Sequence, residues 1–98
     1  MGVYKLSNKA EVDLTSMYEF GISKFGLHQS QKYFFGMHET FDVLSKNMNL
    51  GRDASEFIEN LKRFTYKGHT IFYLITTNEI FIIRILDQRM DYQSNLSK

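Results

Sequence analysis

The sequence predicts a two-layer α+β fold: a short N-terminal strand, an antiparallel helix hairpin, and a mainly antiparallel sheet ending in a three-strand meander. Apolar residues in the first half recur at three- and four-residue steps, which is helical spacing. The last third carries β-branched and aromatic runs broken by short turns. Gly26 separates the two helical stripes with almost no linker, so the helices must double back on one another. At 98 residues, a single domain over 1–98 is expected.

A weak strand signal spans 3–7, where Val3, Tyr4, Lys5 and Leu6 alternate in polarity. The first helix spans 8–25. Asn8 followed by Glu11 resembles a capping box, and Ala10, Leu14, Met17, Tyr18, Gly21 and Phe25 form the apolar stripe. Gly26 is placed to end that helix in a left-handed conformation. The second helix spans 28–48, with Phe34, Met37, Phe41, Leu44 and Met48 on one face. Residues 50–60 read as a loop with a turn of helix near Ser55. Strands are expected over 61–67, 69–76 and 79–86, joined by turns at Lys67-Gly68 and Thr77-Asn78. The run Ile80 to Ile83 suggests a strand covered on both faces. The tail, 87–98, is polar, with Met90, Tyr92 and Leu96 as possible anchors, and its removal after Leu86 is expected to leave the core folded.

Composition narrows the chemistry. There is no cysteine, so neither a disulfide nor a thiolate nucleophile or ligand is available. The formal charge of +1 lacks the basic excess of a general nucleic-acid binder. Met1 to Lys5 lead into no apolar signal-peptide core, and no apolar run is long enough to span a bilayer, so a cytoplasmic location without membrane contact is expected. His28, His38 and His69 have no second histidine at ligand spacing, and no glycine-rich phosphate loop exists, so no metal or other cofactor is expected. The acids Glu11, Asp13, Glu19, Glu56 and Glu59 read as solvated surface.

The more informative charges are cationic and lie in the strand half: Lys62, Arg63, Arg84 and Arg89. Arg84 interrupts the most apolar strand, where an uncompensated charge costs several kcal/mol. It either pairs with an acid, such as Asp87 or Glu79, or lines a sheet-face pocket for an anionic partner.

The order of these segments resembles the ParE branch of the RelE/ParE toxin superfamily. The resemblance runs through Tyr4-Lys5-Leu6-Ser7, Ala10, Asp13-Leu14, Phe25-Gly26, Leu50-Gly51-Arg52, Leu61-Lys62-Arg63-Phe64, His69 to Tyr73, Ile80 to Leu86 and the ending Arg89-Met90-Asp91. Met48-Asn49 stands where many relatives carry proline, and Lys62-Arg63 where many carry Arg-Arg. The resemblance implies a toxin of a type II toxin-antitoxin system that inhibits DNA gyrase without catalysis. It implies neutralisation by a ParD-like antitoxin, with operator DNA bound only through that antitoxin. Lys62, Arg63, Arg84, Arg89, Met90 and Asp91 are then candidates for gyrase binding and toxicity. Tyr18, Tyr33, Phe34 and Met37 are candidate outward anchors for an antitoxin helix, with Arg63 and Arg84 beside them. The alternative within the superfamily is a RelE-like, ribosome-dependent mRNA interferase. It would require a positioned base and acid as well as cations, and no such base is evident near the C-terminus, where Tyr92 falls late.

Overall fold

The computed structural model describes residues 3–96. Its elements run β1 (Tyr4–Leu6), α1 (Asn8–Phe25), α2 (Leu27–Lys46), β2 (Arg52–Asp53), β3 (Lys62–Tyr66), β4 (His69–Ile75), β5 (Ile80–Asp87) and α3 (Tyr92–Leu96). The strand order is β1-β5-β4-β3-β2; β1 lies parallel to β5, and every other pair is antiparallel. The two-layer α+β expectation holds, with corrections that follow from local chemistry.

The helix cap is one residue earlier than expected. Ser7, not Asn8, has the extended backbone of an N-cap, and its Oγ accepts from the Ala10 amide at 3.0 Å. The same hydroxyl donates to the Ile83 carbonyl at 2.7 Å, so the start of α1 is tied to β5. Gly26 alone joins the helices. Its φ of 90° is positive as expected, but its ψ of 164° is extended rather than left-handed helical. No side chain readily adopts that conformation, so glycine is required there. The hairpin is antiparallel: Ser30 packs on Gly21, and the Tyr18 and Phe34 rings lie 5.1 Å apart. A second close approach is Gly36, where a Cβ would overlap the Tyr66 hydroxyl; its absence lets α2 lie directly on β3. The Lys67-Gly68 turn has φ of 44° and 87°, both positive, the signature of the hairpin turn that matches strand twist.

Residues 50–60 contain a strand the sequence did not suggest. Arg52–Asp53 pairs with Lys62 and Arg63 as an edge two residues long, too short to show an alternation. The loop before it is held by Tyr73, whose hydroxyl donates to the Met48 carbonyl and accepts from the Gly51 amide.

Two cores result. Between helices and sheet, Leu14, Met37, Phe41 and Leu44 meet Ile71, Tyr73, Ile80, Ile82 and Ile85. On the opposite face, Ala54, Leu61, Phe72, Leu86 and Leu96 are buried, with Phe57 and Tyr92 packed against them. This second cluster explains the continuous apolar run in β5. It also makes the tail part of the fold. Tyr92 stacks edge-on against Phe72 at 5.1 Å, its hydroxyl meets Thr70 at 2.8 Å, and Leu96 is buried. Removing the tail would uncover Phe72 and Leu86, so the expectation of an independent core ending at Leu86 does not hold.

The register of β5 shifts between its pairings with Phe72 and Tyr73: Phe72 faces Arg84, but Tyr73 faces Ile82, leaving Ile83 as an extra residue. The bulge lets Ile82 and Ile85, three apart, both reach the helix-side core. It also turns Arg84 out of the strand toward Asp13 on α1. The pair is bidentate, Nε to Oδ2 at 2.8 Å and Nη2 to Oδ1 at 2.9 Å, and the two side chains are 17% and 14% exposed. Nη1 donates to the Asn95 carbonyl at 2.8 Å, and Asp13 also accepts from the Ile85 amide at 3.0 Å. The hydrogen bonds to Asp13 raise the Arg84 pKa above its ordinary value.

Asp13→Ala and Arg84→Ala should each lower unfolding free energy by about 3 kcal/mol, because each strands a largely buried charge. The double variant should cost no more than the larger single one, as checked by urea denaturation.

Candidate functional site

A groove of about 700 Å³ lies between the helix hairpin and the ends of β4 and β5. The hairpin forms one wall. Met17, Phe20 and Phe25 of α1 supply its apolar side, with Phe20 60% and Phe25 65% exposed. Ile85 and Met90 continue the apolar surface on the sheet side, Met90 being 42% exposed. The contact that sets the hairpin's spacing lies in the groove wall: Ser30, buried on Gly21, donates its hydroxyl to the Tyr18 carbonyl at 2.9 Å.

The polar end is organised by Tyr33 of α2. Its hydroxyl lies 2.9 Å from the Lys67 carbonyl, 3.3 Å from the Tyr66 carbonyl and 2.6 Å from His69 Nδ1. The phenol therefore pins α2 to the β3–β4 turn. Burial, reinforced by Tyr66 and Asp87, pushes its pKa up to about 12, so it stays protonated at neutral pH. Burial also lowers the His69 pKa, against the opposing pull of Asp87, which favours the neutral imidazole. Asp87 sits across the ladder from His69 and is gripped by Arg89, Nε to Oδ1 at 3.0 Å and Nη2 to Oδ2 at 3.2 Å. Those bonds hold the Asp87 carboxyl down at about 2. Lys67 and Arg89 are exposed at the mouth. The result is a trough with an apolar wall and a cationic rim. Among the described residues, no three histidine or acidic side chains come together as a metal site, and no helix is long and apolar enough to cross a membrane.

The candidate residues do not form one cluster. Alternation along β3 sends Lys62 to the helix side and Arg63 to the opposite face, where Glu56 lies 4.0 Å away. Arg84 is held in its ion pair with Asp13. Arg89 and Met90 stand at the groove mouth. Asp91 immediately precedes α3, its Oδ1 accepting from the Gln93 amide at 3.2 Å. Of the anchors, Tyr33 lines the groove, while Tyr18 and Phe34 are half-buried against one another. Met37 is fully buried in the helix–sheet core and offers nothing outward, a correction that follows from its place at the centre of α2's inner stripe. The sequence reading missed Phe20 as a surface residue and placed Phe25 in the stripe. Their exposure depends on where the sheet ends beneath α1, which helical periodicity does not report.

Comparison with known proteins gives a consistent picture. The sequence model of one family, described as ParE toxin of type II toxin-antitoxin system, parDE, matches residues 4–92. A protein named Toxin ParE1 from Mycobacterium tuberculosis (strain ATCC 25618 / H37Rv) is 29% identical over 94 residues, covering 95% of this chain and 96% of that one. Toxin ParE1 from Caulobacter vibrioides is 24% identical over 96 residues, covering 98% and 99%. The solved structure "Chromosomal ParDE TA system from P. aeruginosa" superposes with a TM-score of 0.76 at 21% identity, over 89% of this chain and 96% of that one, and supports the fold.

The Tyr33 arrangement is testable by pH. The folded state holds the Tyr33 proton above the usual phenol range, so stability should fall as pH rises above about 10. Phenolate absorbance should show a step near pH 12 that Tyr33→Phe removes. On the acid side, burial lowers the pKa of both His38 and His69, so stability should fall as pH drops below about 6.5, and His69→Gln should flatten that slope.

Proposed function

This chain belongs to the ParE toxin family of the parDE type II toxin-antitoxin system, and from that premise we propose that it stops growth by binding DNA gyrase and is neutralised by a ParD-like antitoxin. The observation that carries this reading is the family match itself, which spans every element from β1 to the first residue of α3.

The geometry supplies a mechanism for neutralisation. An antitoxin helix lays its apolar face on Phe20, Phe25 and Met90 and its acidic residues toward Lys67 and Arg89. Tyr18 and Phe34 extend the same surface along the hairpin. Because Arg89 and Met90 stand at the mouth of the groove and also lie in the stretch assigned to gyrase, the bound antitoxin covers the toxic surface directly. Asp91, Lys62 and Arg63 complete the gyrase candidates at lower weight, since they point in different directions. Arg84 acts through the fold, by fixing α1 and the tail against β5.

The toxin performs no bond-breaking of its own in this reading. The phenol of Tyr33 and the imidazole of His69 are engaged with each other and with the β3–β4 turn, where they maintain the groove. Inhibition is steric and electrostatic: the toxin holds the gyrase–DNA complex at a step that normally proceeds. Operator DNA is contacted through the antitoxin.

Expression of the chain should arrest growth, with relief by a co-expressed ParD-like partner and loss of DNA supercoiling before any loss of intact messages. Phe20→Asp and Phe25→Asp should each weaken antitoxin binding about 30-fold while leaving the fold and toxicity in place, as measured by titration calorimetry and plating. Full antitoxin affinity in both variants would place the antitoxin elsewhere.

A further inference from the structure

The face of the sheet opposite the helices carries a charge arrangement that the fold does not require. β2 and β3 place Arg52 directly opposite Arg63, and Asp53 opposite Lys62. Directly opposed residues project to the same face, so two guanidinium groups stand side by side there. Like charges in that position destabilise a sheet, and a cross-strand Asp–Lys pair one residue away shows that this edge accommodates opposite charges. Glu56 compensates only partly: it lies 4.0 Å from one Arg63 nitrogen and is itself more than half exposed. The Arg52 side chain is exposed and has no ion-pair or hydrogen-bond partner among the described residues.

The neighbourhood adds a second observation. Arg63 lies opposite Phe72 in the β3–β4 ladder, and Phe72 is flanked by Phe57 at 6.1 Å and Tyr92 at 5.1 Å. Phe57 and Tyr92 are partly buried on the core around Phe72, each keeping part of its surface open. Two forked cations beside partly open aromatic rings match the chemistry of a nucleic-acid strand: guanidinium groups take phosphate oxygens in pairs, and rings take bases by stacking.

We propose that Arg52 and Arg63 form a phosphodiester-binding site for single-stranded nucleic acid, with Phe57 and Tyr92 beside it as the stacking surface. The net charge of +1 confines the attraction to this local patch, so binding is weak and strongly salt-dependent. The site lies across the sheet from the antitoxin groove and does not depend on gyrase being the target.

The test is fluorescence anisotropy with short labelled single-stranded DNA and RNA, titrated with the purified full chain across a range of salt. Arg52→Ala and Arg63→Ala should each weaken binding about tenfold, the loss of one charge-assisted hydrogen bond. Each should also reduce the slope of log affinity against log salt by about 0.7. Lys5→Ala, on β1 at the opposite edge of the sheet and paired with Glu79, should change neither. Arg52→Ala should keep or raise the melting temperature, because it relieves repulsion; a residue retained for stability would lower it. Salt-insensitive binding, equal affinity in the arginine variants, or binding of inorganic phosphate with none of either oligonucleotide would overturn the proposal.

Discussion

The Arg84–Asp13 ion pair is the constraint on which the rest of the molecule depends. β5 is the strand against which β1, β4, α1 and the tail all assemble, and its bulge would otherwise leave a charge in an apolar layer. Pairing with Asp13 closes that charge against α1, and the Ile85 amide adds a further bond to the same carboxylate. Ser7 reinforces the junction at the start of the same helix by bonding the Ile83 carbonyl while capping α1. These contacts fix how far α1 rides over the sheet, and hence how much of Phe20 and Phe25 overhangs its end. The groove is a consequence of that placement.

The sequence was legible where a pattern was local. The helical stripes, the β3–β4 turn and the β4 and β5 runs follow from periodicity and turn chemistry, and the structure has them within a residue or two of the expected bounds. It was illegible where partners are distant. Nothing near Arg84 identifies Asp13, 71 positions away, and nothing in Arg52–Asp53 signals a strand, because two residues carry no alternation. Met37 shows the limit of a stripe. Its spacing marks the inner face of α2 correctly, and for that reason it is not an outward anchor. The overhang falls instead on Phe20 and Phe25 near the hairpin tip. In the tail the anchors Tyr92 and Leu96 were legible, but the second core they bury against was not.

The two faces of the sheet serve different ends. The helix side carries an apolar trough with a cationic rim, pinned at its polar end by Tyr33 and His69. The opposite side carries a small aromatic core sealed by the tail, with the Arg52–Arg63 pair at its edge. The groups that could serve acid–base chemistry are tied into structure: Tyr33 by its hydrogen bonds, Asp87 by Arg89 and His38 by Tyr4. A toxin that acts by occupancy, as proposed, needs a stable shape and one removable cover, and the groove with Arg89 and Met90 in its lining is the surface proposed for both.

Occupancy and turnover differ most directly in stoichiometry. With purified gyrase held well above the dissociation constant, supercoiling should decline linearly as this chain is added and reach its floor near one toxin per binding site, with transcripts in the same mixture left whole. Cleavage of ribosome-bound messages by a small fraction of an equivalent, with supercoiling unchanged, would contradict the account.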